Sequence, residues 1–226
     1  MDYVLTKKPT GVKIITGFPS IGLVATIATK FLTDHLDVEV IGHLVSEKIL
    51  PLTAIHKGKV VDPLTLYYNK KYNVIILQSL TEVAGLEWEI ADAILNIAKE
   101  LKAKEIIVLE SIPSLKEEIN LFSISKNKIA GTEVLKEGII MGLTATLLLK
   151  STENISCIFA ETHSNFPDSE AAAKVVEVLD RYLKMPIDYK PLLDQAKKFE
   201  SSLKQYIEKS KEMGDNKQKR ELSYFG

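Results

Sequence analysis

The sequence predicts an α/β domain: a mainly parallel sheet flanked by helices on both faces, a three-layer sandwich with a long C-terminal helix. Three observations carry this. The runs "VIIL" (Val74–Leu77), "IIVL" (Ile106–Leu109) and "CIFA" (Cys157–Ala160) are continuously apolar rather than alternating, as strands covered on both faces are. Strand-like runs alternate with helical patterns along the chain, which favours a sheet wound with crossover helices. Hydrophobic residues make up 46% of 226 positions, enough to fill a core of that size and to exclude global disorder.

In chain order, Val12–Ile15 reads as a first strand, and Ile21–Leu36 as the helix it feeds. Val38–Val45, Thr65–Tyr68 and Asn73–Gln78 read as strands, then Leu86–Leu101 as a helix and Glu105–Leu109 as a strand. The segment Asn120–Asn127, "NLFSISKN", alternates and predicts an edge strand or hairpin arm. A helix over Ile139–Lys150, a strand over Ile155–Ala160 and a helix over Ser169–Leu183 complete a core domain of residues 1–187. Within Leu86–Leu101, Trp88 shares a helical face with Ala91, Leu95 and Ala98, which predicts core or interface packing rather than a substrate platform.

A composition shift follows Lys184. Asp188 is placed to cap a helix that has Pro191 in its first turn. Leu192, Ala196, Phe199, Leu203, Tyr206, Ser210 and Met213 recur at steps of four and three, three heptads of seam. This predicts a helix over residues 188–213. Leu192, Phe199, Leu203 and Tyr206 would pack on their own domain or on a helix of another subunit. Gly214 would end it, leaving residues 214–226, "GDNKQKRELSYFG", as a flexible tail.

The formal net charge of -1 argues against nucleic acid as the main partner. The single cysteine, Cys157, forms no intrachain disulfide, which fits a reducing cytoplasm. The start "MDYVLTKKPTG" lacks the basic-then-apolar layout of a signal peptide. The longest apolar stretch, Gly138–Leu149, is shorter than a membrane span and reads as buried core.

The stretch "TGFPSIGLVATIATKFL", Thr16–Leu32, admits three readings. Gly17 and Gly22 match the front of a phosphate-binding loop, but Leu23 and Val24 stand where Lys and Ser or Thr are needed to hold phosphate and magnesium. A nucleophile elbow needs glycine two before its serine, and that position is Phe18. Ser20 as nucleophile would need a base, for which His163 in "AETHSNFPD" is the candidate, and a carboxylate. The third reading is structural. Gly17 frees the backbone as the chain leaves the strand, Pro19 fixes the exit, and Ser20 caps the helix. Gly22, Ala25 and Ala28 then form a small-residue face for close approach to the sheet.

"TGFPSIG", "QSLTEVAG", "ESIPSL" and "ETHSNFPD" all follow strands, so a parallel sheet gathers them at its carboxyl edge, where α/β folds bind ligands. Glu82, Glu110, Glu161 and His163 could meet there. No H-x-x-x-H or paired-cysteine spacing supports a metal, and no cofactor motif is present.

Five segments in order resemble the proteasome-assembly chaperone family in its archaeal branch. They are "GFPSIGLVATIATKFL", "HLVSEKILPLTAIHKGKVVDPLTLYYN", "VIILQSL" with "EWEIADAILNIAKELKAKEIIVLES", "KEGIIMGLTATLLL", and "FAETHSNFPDSEAAAKVVEVLDRYL". The likeness covers roughly residues 10–195; Ser20 departs from the family's usual glycine. The resemblance implies a non-catalytic domain with a phosphorylase/hydrolase-like sandwich architecture. It would form a homo-oligomer, a tetramer or pentamer, and act on the proteasome core particle or its α-subunits. It implies no cofactor, no metal, no nucleic acid and no membrane.

Some archaeal members of that family end in a hydrophobic–tyrosine–any tripeptide that enters pockets between α-subunits. Here Tyr224, Phe225 and Gly226 occupy the three places. Phe225 lacks the tyrosine hydroxyl, a loss of roughly 0.5–1.5 kcal/mol for a hydrogen bond, so docking and gate opening need not go together. Two alternatives remain open from the sequence: a hydrolase or nucleoside phosphorylase-like enzyme using Ser20 and His163, and a scaffold for another complex.

Overall fold

The computed structural model describes residues 1–49, 51–56, 58–115, 118–150, 154–163 and 166–194. In chain order these form β1 (Asp2–Leu5), β2 (Lys13–Gly17), α1 (Val24–His35), β3 (Glu39–Val45), β4 (Ala54–His56), β5 (Lys59–Val61), β6 (Leu64–Asn69) and β7 (Val74–Ser79). There follow α2 (Glu87–Glu100), β8 (Glu105–Pro113), β9 (Leu121–Ile124), β10 (Glu133–Val134), α3 (Gly142–Lys150), β11 (Ile155–Thr162) and α4 (Ser169–Leu183). Nine strands make one sheet in the order β1-β3-β6-β7-β2-β8-β11-β9-β10, and β4 and β5 form a separate hairpin.

The four central strands, β7, β2, β8 and β11, run parallel. On one flank β6, β3 and β1 continue antiparallel; on the other, β9 joins β11 antiparallel and carries β10. Alternation sends neighbouring residues to opposite faces. Ile15, Ile76, Ile107, Leu109 and Ile158 pack under α1 and α4. Ile14, Ile75, Leu77, Ile106, Val108 and Phe159 pack under α2 and α3. Apolar residues at both parities are therefore required, which is why these strands read as unbroken apolar runs.

α4 buries Ala171, Ala172, Val175, Val176 and Leu179 on one stripe. Asp168 caps it, accepting from the Ala171 N–H at 2.9 Å. The chain leaves α4 through Lys184 at φ 54 and stays on the body, with Met185, Ile187 and Leu192 buried in the α1/α4 core. Residues 190–194 are helical, and Asp188 Oδ1 accepts from the Lys190 N–H, as the capping expectation requires. The rest of the expected helix, with Phe199, Leu203 and Tyr206, and the tail with Tyr224, Phe225 and Gly226, lie outside the described residues.

Several expectations are corrected. The Asn120–Asn127 segment is not the edge, because the two-residue β10 pairs outside β9. The helix expected from Ile21 begins at Val24, after a 3-10 turn, because Gly22 and Leu23 both adopt positive φ (67° and 50°). The helix expected from Ile139 begins at Gly142, whose φ of +68° breaks the preceding residues away. The Gly138–Leu149 stretch is buried core only in part: Leu143 and Leu147 are buried, whereas Ile139, Met141 and Leu149 are 93%, 79% and 76% exposed.

One buried polar cluster ties the amino edge together. The Glu105 carboxylate, 2% exposed, accepts from Lys13 Nζ at 2.8 Å, Ser156 Oγ at 2.5 Å and the Tyr182 hydroxyl at 2.6 Å. Lys13 also stands 4.5 Å from the Tyr182 ring centre. β2, β8, β11 and α4 thus share one charge. Replacing Glu105 by Ala strands Lys13 and is expected to cost about 3 kcal/mol, read as a lower urea midpoint at unchanged slope. Burial, then the bond to Glu105, raises the Tyr182 pKa above its ordinary value. Its contribution to stability is therefore full below about pH 10 and is lost as pH rises through the folded pKa. Tyr182→Phe is expected to flatten that alkaline limb in thermal melts.

Candidate binding cleft

The turns after β2 and β7, the end of β8 and the start of α3 meet at the carboxyl edge of the sheet. They enclose a cleft of about 370 Å³. Phe18, Pro19, Ser20 and Ile21 form one wall, Val83, Ala84 and Glu87 a second, and Ser111, Ile112 and Pro113 a third; Ile139 to Leu143 close it. Gathering strand exits this way follows from the parallel core.

The β2 turn is held by backbone packing. Gly17 has an ordinary φ, so the expectation of unusual dihedrals there is corrected. A Cβ at Gly17 would lie 2.5 Å from both the Ala25 carbonyl oxygen and Thr29 Cγ2, so glycine is needed for close approach. Gly22 does need positive φ, and a Cβ there would lie 2.6 Å from Thr162 Oγ1. The Gly22 carbonyl accepts from the Asp168 N–H at 2.8 Å, and Thr162 Oγ1 donates to Asp168 Oδ2 at 2.8 Å. The turn is thereby bolted to β11 and the cap of α4.

Ser20 does not cap the helix with its side chain. Ser111 Oγ donates to the Ile21 carbonyl at 2.5 Å, so its one proton is committed there. Ser20 Oγ, 2.8 Å from Ser111 Oγ, is then the donor to it. Ser20 is joined to a second serine rather than to a base. His163 is exposed and does not line the cleft. Glu161, 8% exposed, accepts from the Asn120 N–H and from Asn120 Nδ2, and it too lies outside the cleft lining.

Glu82 and Glu110 do reach the cleft, and Glu87 joins them. Glu110 holds the start of α3, accepting from Thr144 Oγ1 at 2.8 Å and from the Ser111 N–H at 3.0 Å. Among the described residues no group of three or more His, Cys, Asp and Glu side chains is arranged to hold a metal. Cys157 is fully buried, and burial, with the Glu110 charge adding, pushes its thiol up to about 12, which leaves it inert as a nucleophile. No helix among the described residues is long and apolar enough to cross a membrane. Trp88 is 56% exposed rather than core, with Lys150 Nζ 5.6 Å from its ring centre.

This geometry offers apolar surface and carboxylates, and among the described residues Ser20 and His163 are not assembled with an acid. A model of the PAC2 family matches residues 14–207. The chain belongs to the PAC2 family. Over 98% of this chain and 97% of the other, it superposes with a TM-score of 0.82 and 30% identity on Pyrococcus furiosus PbaA, an archaeal homolog of proteasome-assembly chaperone. Pyrococcus furiosus PbaB, an archaeal proteasome activator, shares the fold at a TM-score of 0.77 and 23% identity, over 91% of this chain and 98% of that one. An uncharacterized protein of Methanocaldococcus jannaschii is 29% identical over 94% of this chain and 92% of its own length. The resemblance read from the five segments is borne out, and so is the expected α/β sandwich.

Of the turn residues singled out from the PAC2 sequence pattern, Phe18, Pro19 and Ser20 line the cleft, while Gly17 and Gly22 shape it from behind. Ser111 and Glu87 were not anticipated. Ser111 lies in the flagged "ESIPSL" segment, which belongs to β8 up to Pro113 rather than to a turn after Leu109, and its pairing with a residue 91 positions away leaves no local mark. Gly17→Ala is expected to destabilise by about 1–3 kcal/mol through overpacking. Ser20→Ala, losing one hydrogen bond while Ser111 keeps Ile21, is expected to cost about 1 kcal/mol or less. Chemical denaturation of the two variants side by side checks the ordering.

Proposed function

We propose that this protein is a non-catalytic, homo-oligomeric chaperone or regulator that binds the archaeal proteasome core particle or its α-subunits through its C-terminal tail. Membership of the PAC2 family supports a proteasome-related chaperone role. The observation that carries the finer reading is near-complete superposition, at 30% identity, on an archaeal homolog of proteasome-assembly chaperone.

In this reading the α/β body supplies a tetramer or pentamer and residues 214–226 supply the contact. Tyr224 and Phe225 bring apolar area to a pocket between α-subunits, and Lys217, Lys219 and Arg220 steer the segment towards an acidic surface. Exposed apolar residues on the α2/α3 side, Trp88 and Leu149 among them, support packing between copies. Leu192 is already engaged with its own core, so the large seam residues proposed for a neighbour are Phe199, Leu203 and Tyr206. The proposed site of action is the cytoplasm, with no cofactor taking part.

Removing Tyr224 to Gly226 is expected to abolish co-purification of purified archaeal core particle on the immobilised protein. The elution volume of the protein alone should stay unchanged on size exclusion. Equal capture by truncated and full-length protein would sink the tail reading. Loss of the oligomer on truncation would move the tail's role into self-assembly.

A further inference from the structure

The β4–β5 hairpin stands apart from the nine-stranded sheet. Each of its strands has three residues, and so short a lone pair is marginal in water unless something covers it. Ile55 and Val60 lie directly opposite one another and are 68% and 71% exposed. Such a cross-strand apolar pair stabilises a hairpin chiefly when it is buried. The base of the hairpin is anchored. Lys48 Nζ reaches Glu89 at 2.6 Å, Ile49 is buried in the α2/α3 core, and the Leu80 N–H donates to the Pro63 carbonyl at 2.8 Å. Leu64, just after the hairpin, pairs with Ser79 at the end of β7, so the hairpin leaves the sheet at its carboxyl edge. Its turn sequence, His56-Lys57-Gly58-Lys59, holds two lysines and no acid.

The carboxyl-edge cleft has the complementary character. Phe18, Val83, Ile140 and Leu143 give it an apolar lining, and its charge is of one sign: Glu82, Glu87 and Glu110 line it, with no Lys, Arg or His among the lining residues. Glu110 is bonded to Thr144 and to the Ser111 N–H. No side-chain hydrogen bond or ion pair engages Glu82 or Glu87 among the described residues. An apolar pair beside a cationic turn matches such a cleft in both surface and charge. The chain's own hairpin does not line its own cleft, and each chain carries one hairpin and one cleft, so a second copy supplies both halves of the match.

We propose that the β4–β5 hairpin of one copy seats Ile55 and Val60 in the carboxyl-edge cleft of a neighbouring copy, with its basic turn beside Glu82 and Glu87. The two surfaces differ, so the contact is heterologous. Repeated around a closed ring, it fills every cleft and covers every hairpin. The contact rests on the homo-oligomer reading proposed above and names the surfaces that meet in it. It is independent of the proteasome reading, because it forms in the isolated protein.

The test uses the full chain with Val60, and in a second sample Ile55, replaced by photoreactive p-benzoylphenylalanine. Irradiation of the purified protein is expected to give a band of twice the chain mass on a denaturing gel. Peptide mass spectrometry of that band should place the cross-links at residues 18–21, 82–87 or 139–143. Glu82→Gln with Glu87→Gln is expected to lower the yield about fivefold, and raised salt to lower it in parallel. Neither carboxylate anchors another side chain among the described residues, so the double variant should keep its parent's circular dichroism. Sedimentation velocity of the same samples separates the two ways of failing. An oligomer boundary with cross-links confined to other surfaces or to the same chain, or with a yield indifferent to both carboxylates and salt, would overturn this contact alone. A monomer boundary with no band of double mass would overturn the contact and the homo-oligomer reading together.

Discussion

The close approach of the β2 turn to α1 is the constraint on which the rest of the molecule depends. With no Cβ at Gly17, the Ala25 carbonyl and Thr29 sit directly against the end of β2. That contact sets α1 on its face of the sheet, where Ala25 and Ala28 are fully buried. The same turn then reverses through Gly22 and Leu23 and is tied by the Gly22 carbonyl to Asp168, the residue that caps α4. One backbone approach thus orders two helices and one wall of the cleft. A larger residue at Gly17 would be felt in all three, since well-packed interiors transmit small displacements.

The polar groups in and behind the cleft are spent on holding its walls. Ser20 gives its proton to Ser111, Ser111 to the Ile21 carbonyl, Thr144 to Glu110, and Thr162 to Asp168. Each bond fixes a wall. None couples a nucleophile to a base, the arrangement covalent catalysis requires. Glu82 and Glu87 line the cleft without a side-chain hydrogen bond or ion pair among the described residues.

Much of this architecture was legible in the sequence, for a physical reason. Strands buried on both faces cannot alternate, so β7, β8 and β11 stood out as apolar runs, and α4 was found at both ends because Asp168 and a clean apolar stripe mark it. Parallel pairing then carried the four flagged segments to one edge. β1 was missed because its residues are exposed and half-buried in turn on an edge, and β10 because two exposed residues leave no pattern. The start of α3 was misplaced because hydrophobicity continues through Ile139 and Met141 while the backbone breaks at Gly142. At the carboxyl edge, turn positions were legible but pairings were not: Ser20 with Ser111, in the cleft, and Glu161 with Asn120, outside it, are contacts between distant segments that only the sheet order brings about.

The central claim is that the protein works by presenting surfaces from a closed assembly. Sedimentation velocity of the purified protein, alone and mixed with purified archaeal proteasome core particle, tests it most directly. The account predicts a single tetramer or pentamer boundary for the protein alone, and a fraction of it migrating with the core particle in the mixture. A monomer boundary that persists unchanged at every ratio of core particle would contradict it.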